Sequence, residues 1–345
     1  NMAKIKVGVA GYGTIGQRLA DGVAAQGDME LVGVADVAPT LSIRALKESG
    51  MAYDLYLVDG GDEQAFKDAG IPLAGTFEDL IKKVDIMLDS TPAGIGLENK
   101  NKFYVPNGVK AVFQGGEEDK VADVFFHGYA NYEEGVGQDY LKLTSCNTTG
   151  LIRAVDALDR DYDLDHIAIT IIRRVADPGD YHRGLTNALK VDKAPSHQAV
   201  DLMNIMPGIK ATGILVHTPV THGHIITVVA SGKDKKITKE MALESFQKHD
   251  RIRVVRLADG FEGNASIFKY NRDLGHKRGD GYDIAVWEDT IIESGDDVMF
   301  AINIPQESVT IPETMDAIRA SMEMQTTREE GTAETNKYLG LPSWK

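Results

Sequence analysis

Thr144-Ser145-Cys146-Asn147-Thr148-Thr149-Gly150 holds the only cysteine of the chain. An apolar helical pattern follows at Leu151, Ile152, Val155 and Leu158, which predicts a helix starting at or beside Cys146. The partial positive charge of a helix N-terminus stabilises a thiolate, the nucleophilic form of cysteine. Ser145, Asn147 and the threonine pair add caps and hydrogen-bond donors around an anion. The bland alternative is a small buried hydrophobe, the commonest state of a lone cysteine, and the helix-start setting argues against it. A single cysteine forms neither an intramolecular disulfide nor a multi-cysteine zinc site.

A thiolate nucleophile needs a partner that manages protons. The densest histidine cluster is His217-Thr-Pro-Val-Thr-His222-Gly-His224. His222 and His224 share a face if a strand begins there. Metal binding by two histidines at i, i+2 is a rival, although the segment supplies no nearby carboxylate. Ordinary strand-end histidines are another. Arg173-Arg174 close an expected strand over 166–175 and precede Asp177-Pro178. Paired guanidiniums suit a phosphate or carboxylate; a solvated surface pair is the alternative.

Gly11-Tyr12-Gly13-Thr14-Ile15-Gly16 follows one strand pattern and opens a helical one, the context a dinucleotide fingerprint requires. Gly11 permits the tight turn, Gly13 lets backbone approach a pyrophosphate, and Gly16 allows close helix–strand packing. Asp36 ends the next strand pattern, where a carboxylate accepts from ribose hydroxyls and repels a 2′-phosphate. On that reading NAD is favoured over NADP. A solvated loop aspartate capping the turn before Pro39 is the competing account.

These residues must be held by a fold. Residues 5–10, 29–35, 85–90, 109–114 and 123–128 read as short β-rich runs alternating with helices, the pattern of βαβ units. After Gly150 the strands lengthen, at 166–175, 224–230, 282–287 and 298–304, with fewer helices between them. A last helix is expected from Pro312 through Met324, and the polar stretch 326–332 reads as a solvated loop. The fold class is therefore α/β: an N-terminal Rossmann-like doubly wound parallel sheet plus an α+β catalytic domain with a mostly antiparallel or mixed sheet. At 345 residues, two domains are the natural expectation.

Composition narrows the function. The net charge of −15 argues against nucleic-acid binding by the chain as a whole. No apolar stretch approaches the roughly 20 residues that span a bilayer, so no membrane association is expected. The start, Asn1-Met2-Ala3-Lys4, has no signal-peptide apolar region and runs into a strand pattern, so a cytoplasmic enzyme is expected.

Along nearly its whole length the chain resembles the archaeal-type (class II) glyceraldehyde-3-phosphate dehydrogenases. The resemblance is carried in order by Gly11–Gly16, Asp89-Ser-Thr-Pro-Ala-Gly-Ile-Gly96, Phe113-Gln-Gly-Gly-Glu117, Ala130-Asn-Tyr-Glu133 and Ser145-Cys-Asn-Thr-Thr-Gly150. It continues through Arg173-Arg174 with Asp177-Pro178, Pro195-Ser-His197, Gln306-Glu307 and Ile311-Pro-Glu-Thr-Met-Asp-Ala-Ile-Arg-Ala320. It implies phosphorylating oxidation of glyceraldehyde 3-phosphate with NAD(P)+ and inorganic phosphate, in glycolysis or gluconeogenesis. Cys146 would attack the aldehyde, and His224 would take the hydroxyl proton. Thr14, Ile15, Gly116, Arg174 and Gln306 match cofactor contacts. Ser145, Asn147, His197 and Gln198 match substrate contacts, to which Arg173 and His222 are added.

The resemblance also implies a homotetramer whose last helix returns to the cofactor domain, giving residues 2–144 with 320–345 as one domain and 145–319 as the other. No metal is called for. Two departures stand out. The family often has two histidines where this chain has His197-Gln198, and its NADP-preferring members commonly have lysine where this chain has Asp36. Two rival functions remain: a cysteine–histidine semialdehyde dehydrogenase acting on aspartyl or N-acetylglutamyl derivatives, and a nucleotide-binding regulator without chemistry.

Overall fold

The computed structural model describes residues 3–176 and 187–344. The chain forms two compact units, Asn1–Leu143 with Ile311–Leu339 and Thr144–Thr310 with Gly340–Lys345.

The first unit is built on eight strands: β1 (Ile5–Ala10), β2 (Met29–Asp36), β3 (Asp54–Leu57), β4 (Gly75–Thr76), β5 (Ile86–Asp89), β6 (Lys110–Phe113), β7 (Val124–Phe126) and β8 (Tyr140–Leu143). They lie in the order β4-β3-β2-β1-β5-β6-β8-β7, and every pairing is parallel. Residues 7–10 and 86–89 are continuously buried, as strands covered on both faces must be. Strand order reverses between β2 and β5 around β1, so the carboxyl end of β1 is the topological switch point. Gly11 begins there.

The helices Thr310–Ser321 and Arg328–Leu339 complete this unit. Arg319, fully buried, fastens the first of them with Nη1 to Asp28 at 2.6 Å and Nη2 to Asp28 and Gln26 at 2.9 and 2.7 Å. Three expectations need correction here. The return to this unit begins at Ile311 rather than 320, because the helix is continuous and Ile311 and Met315 already pack against Gly22. Residues 340–345 belong instead to the second unit, where Trp344 lies 5.6 Å from the Arg253 guanidinium. The supposed loop at 326–332 is helical from Arg328. That helix buries Gly331, Thr332, Thr335 and Asn336, small or polar residues that leave no apolar stripe to read.

The second unit contains β9 (Leu164–Arg174), β10 (Lys190–Val191), β11 (Lys210–Thr218), β12 (His224–Gly232), β13 (Ile252–Val255), β14 (Ile284–Trp287), β15 (Ile292–Ser294) and β16 (Asp297–Ile304). The order is β10-β11-β9-β12-β16-β14-β13, with β15 on β16. Parallel β9/β11 and β13/β14 pairs among antiparallel ones make it a mixed sheet. Ile167, Ile169 and Ile171 of β9 and Ile226 and Val228 of β12 are buried, while Ala168, Thr170, Ile172, Ile225 and Val229 alternate with them half-buried. The helix Cys146–Tyr162 is fixed by the buried Arg153, which donates to the Tyr282 and Val309 carbonyls at 2.6 and 2.7 Å.

Among the described residues, no helix is long and apolar enough to cross a membrane.

Candidate active site

Cys146 is the first residue of its helix. Ser145 caps it, with Oγ accepting from the Thr148 amide at 3.2 Å. Thr144 and Thr149 join hydroxyls at 2.9 Å and tie the incoming loop to the first turn. No acidic residue occupies that turn, so nothing there offsets the positive helix end. The half-buried sulfur faces β12, and Cys146 Sγ lies 3.6 Å from Nε2 of His224.

His224 opens β12 and is only 1% exposed. Its Nδ1 accepts the Arg174 main-chain N–H at 3.2 Å. Burial first, then the Arg174 and Arg173 charges, hold its pKa well below the ordinary imidazole range. The ring is therefore neutral, and with Nδ1 engaged its one proton sits on Nε2, aimed at sulfur. In this tautomer the ring can donate a hydrogen bond toward the sulfur.

His222 does not share a strand face with His224. Gly223, at φ +79°, turns the chain before β12 begins. The exposed His222 ring stands edge-on to Phe268 at 5.1 Å, with Nδ1 2.7 Å from the Thr221 hydroxyl. Among the described residues no group of three or more His, Cys, Asp or Glu could hold a metal. His217 lies elsewhere, on β11, with Nε2 3.0 Å from Asp192.

Arg173 ends β9 beside Arg174, and among the described residues its side chain has no hydrogen-bond or ion-pair partner. Asp177 and Pro178 lie outside the described residues. His197 starts the helix His197–Ile205, capped by Ser196. Burial lowers its pKa, Asp201 opposes this, and Arg173 lowers it further. Asn147 Oδ1 and Gln198 Oε1 are buried without a hydrogen-bond partner among the described residues. Such orphaned acceptors suit a ligand that brings donors.

Gln306, expected to contact cofactor, accepts the Gly223 amide at 2.7 Å and so braces the turn before His224. Asn264 does the same from the other side, donating to the His224 carbonyl at 3.2 Å and to Asn303 at 2.5 Å. Nothing in the chain's local pattern marks Asn264. Gln306, Gly223, Asn264 and His222 line one small hollow.

In the first unit the glycine fingerprint has the geometry its spacing implied. Gly11 has φ +84°, and a Cβ on Gly16 would come within 1.8 Å of the Gly11 carbonyl oxygen. A Cβ on Gly13 or Gly116 would meet nothing within 4 Å. The helix Thr14–Ala25 has no side-chain cap and no acid in its first turn, so its amide end is open to an anion. The helix Ile95–Asn99 differs: Glu117 accepts from the Gly94 and Gly96 amides at 2.7 and 2.8 Å and fills that end. Thus the residues of the first βα turn fit a dinucleotide pyrophosphate. Asp36 is buried, with its two oxygens on the Val37 and Tyr12 amides at 2.7 and 2.9 Å. It braces the turn as a buried strand-end residue, whereas the competing account had a solvated loop aspartate, and each oxygen keeps a second lone pair for a ribose hydroxyl.

Residues 145–276 match the family model for the glyceraldehyde 3-phosphate dehydrogenase C-terminal domain. The chain is also 40% identical over 340 residues to the glyceraldehyde-3-phosphate dehydrogenase of Pyrococcus abyssi, covering 98% of this chain and 99% of that one. This chain belongs to the glyceraldehyde-3-phosphate dehydrogenase family. The Archaeoglobus fulgidus enzyme of the same name is 37% identical over 342 residues, covering 99% of both chains. That of Methanobrevibacter smithii is 37% identical, covering 97% of this chain and 99% of its own. The family consists of NAD(P)-dependent oxidoreductases, and this chain is one. Aspartate semialdehyde dehydrogenase II from Vibrio cholerae superposes with a TM-score of 0.63 at 14% identity, over 93% of this chain and 98% of that one. That likeness is one of fold.

Proposed function

We propose that this enzyme carries out the reversible phosphorylating oxidation of D-glyceraldehyde 3-phosphate to 1,3-bisphosphoglycerate, with NAD preferred over NADP. One observation carries the reading: Cys146 Sγ lies 3.6 Å from Nε2 of a neutral, buried His224, at a positive helix end with no acid in its first turn. The thiolate attacks the aldehyde carbon, and the carbonyl electron pair becomes an alkoxide. The Nε2–H of His224 donates to that oxygen. NAD(P)+, when bound, supplies the hydride acceptor. As hydride leaves, the alkoxide collapses to a Cys146 thioester. Because the thiolate entered already ionised, no hydroxyl proton has to be removed. Phosphate oxygen then attacks the thioester carbonyl, and sulfur leaves as thiolate.

Arg173, His197, Ser145, Asn147 and Gln198 are the proposed substrate contacts, supported by a guanidinium and two buried acceptors that have no hydrogen-bond partner among the described residues. Gly11, Gly13, Thr14, Ile15, Gly16, Asp36 and Gly116 are the proposed cofactor contacts of the first unit, making residues 2–143 with 311–339 the nucleotide domain. Arg174 and Gln306 belong to the second unit, where each holds the segment carrying His224. NAD preference rests on the Asp36 carboxylate.

A homotetramer is the proposed assembly. The sheet of the second unit leaves Ile214 (51%) and Met299 (38%) exposed among the half-buried residues of one face, which a second copy would cover. A cytoplasmic place in glycolysis or gluconeogenesis goes with this reading. The deciding assay is phosphate- or arsenate-dependent NADH formation from glyceraldehyde 3-phosphate, run beside aspartate and N-acetylglutamate semialdehydes. Activity with the triose phosphate alone is expected; activity with only a semialdehyde would overturn the substrate.

A further inference from the structure

His217 stands apart from the cysteine–histidine pair, yet its surroundings are arranged for more than strand pairing. Parallel pairing sets His217 of β11 beside Arg173 of β9, and antiparallel pairing sets Lys190 of β10 on its other side. Directly paired residues project to the same face of a sheet, so Lys190, His217 and Arg173 form one cationic row across three strands. The neighbours two residues back on β9 and β11, Ile171 and Leu215, are buried, so the row shares their face.

The groups around this row are few and can be named. Asp192, following β10, accepts from His217 Nε2 at 3.0 Å and lies 3.7 Å from Lys190 Nζ. The His217 hydrogen bond, followed by the charges of His217, Lys190 and Arg173, holds the Asp192 carboxyl below its usual range. His197 and Asp201 face the row from the helix above, and Arg173 acts on His197 electrostatically. The same Arg173 charge reaches His224. One carboxylate therefore orients His217 through Nε2, while Nδ1 has no partner among the described residues. A carboxylate on one imidazole nitrogen fixes the ring and leaves the other nitrogen for a ligand.

We propose that His217, positioned by Asp192, joins Arg173 and His197 as a third anion-binding group for a phosphoryl oxyanion of the reaction. This rests on the function proposed above and adds residues to it. The oxyanion has two sources, inorganic phosphate and the phosphate of the triose, and the row binds one of them. Charged His217 donates from Nδ1, and a charge-assisted hydrogen bond of this kind contributes about a tenfold change in affinity or more. Because His217 also staples β10 to β11 through Asp192, its structural contribution has to be separated from binding.

His217→Gln does this, since its carboxamide can still donate to Asp192 but carries no charge; His217→Lys keeps the charge. KM for inorganic phosphate and for glyceraldehyde 3-phosphate is measured separately for wild type and both variants. His217→Gln is expected to raise one of the two KM values about tenfold, with kcat nearly unchanged. His217→Lys, which keeps a cation there, should keep that KM low. Unchanged KM values for both ligands in folded His217→Gln, or a loss confined to kcat, would overturn the proposal. If His217→Gln folds poorly, a His217→Lys enzyme whose KM rises about tenfold would overturn it equally. Failure of wild type to oxidise the triose phosphate would instead overturn the underlying function, so the two failures are distinct.

Discussion

Nδ1 of His224 accepts the main-chain N–H of Arg174, and this bond decides which ring nitrogen carries the proton facing Cys146. The two residues are partners only because β12 lies antiparallel against β9. A strand register thereby sets a tautomer.

The first prediction follows from that tautomer. If His224 acts as a donor, His224→Gln, whose amide nitrogen can reach the same oxygen, should retain far more activity than His224→Ala. Loss of one oxyanion donor costs about a hundred- to thousandfold in kcat, and that is expected for the alanine. Equal loss in both, measured by steady-state kinetics with thermal melts as a folding control, would restore His224 as a proton acceptor.

Stability should respond to pH through the same ring. The native pKa of His224 lies well below its unfolded value of about 6.5. Its contribution is therefore fully present above about pH 6.5 and is lost as pH falls toward the native value, because only the unfolded chain takes up the proton. Chemical denaturation between about pH 7.5 and about pH 5 should show this loss, and His224→Gln should lessen its steepness. The half-buried His197 shifts in the same direction, so some slope remains.

Two glycines of one turn should separate binding from folding. Gly13→Ala adds a Cβ with nothing within 4 Å, whereas Gly16→Ala drives one into the Gly11 carbonyl. Gly13→Ala should melt like wild type but bind NAD+ at least about tenfold more weakly, because the methyl occupies space meant for pyrophosphate. Gly16→Ala should lose about 3 kcal/mol or more of stability. Titration of NAD+ by fluorescence and denaturant unfolding give the two readings. Undiminished cofactor binding by Gly13→Ala would remove the nucleotide from this turn.

Asp36 has two duties, and its removal should show both. Asp36→Ala leaves the Tyr12 and Val37 amides without their carboxylate, at a cost of about 2 kcal/mol. The same change removes the repulsion of a 2′-phosphate, so the ratio of kcat/KM for NADP to that for NAD should rise about tenfold or more. A wild-type enzyme already more efficient with NADP would contradict the assigned preference.

What the sequence made legible was local. β1, the glycine turn and Asp36 follow one another within 32 residues, and their pattern of buried run, turn and helix is complete in itself. The start of the Cys146 helix was readable for the same reason, through Ser145 and the apolar residues after it. Hidden features depend on register between distant segments. Asn264 reaches the His224 carbonyl across 40 positions, and His217 meets Asp192 across 25. Gly223 broke the face that His222 was expected to share with His224, since a single positive-φ residue ends strand alternation. The helix Arg328–Leu339 escaped notice because tertiary packing of small and polar residues, and no apolar stripe, holds it.

The central claim, that Cys146 becomes acylated with His224 beside it, is tested most directly by mass spectrometry of the enzyme mixed with glyceraldehyde 3-phosphate and NAD+ without phosphate. A thioester adduct on Cys146, formed together with about one NADH per chain and discharged on adding phosphate, is the predicted result. Absence of the adduct in an enzyme that turns over, or undiminished turnover by Cys146→Ser, would contradict it.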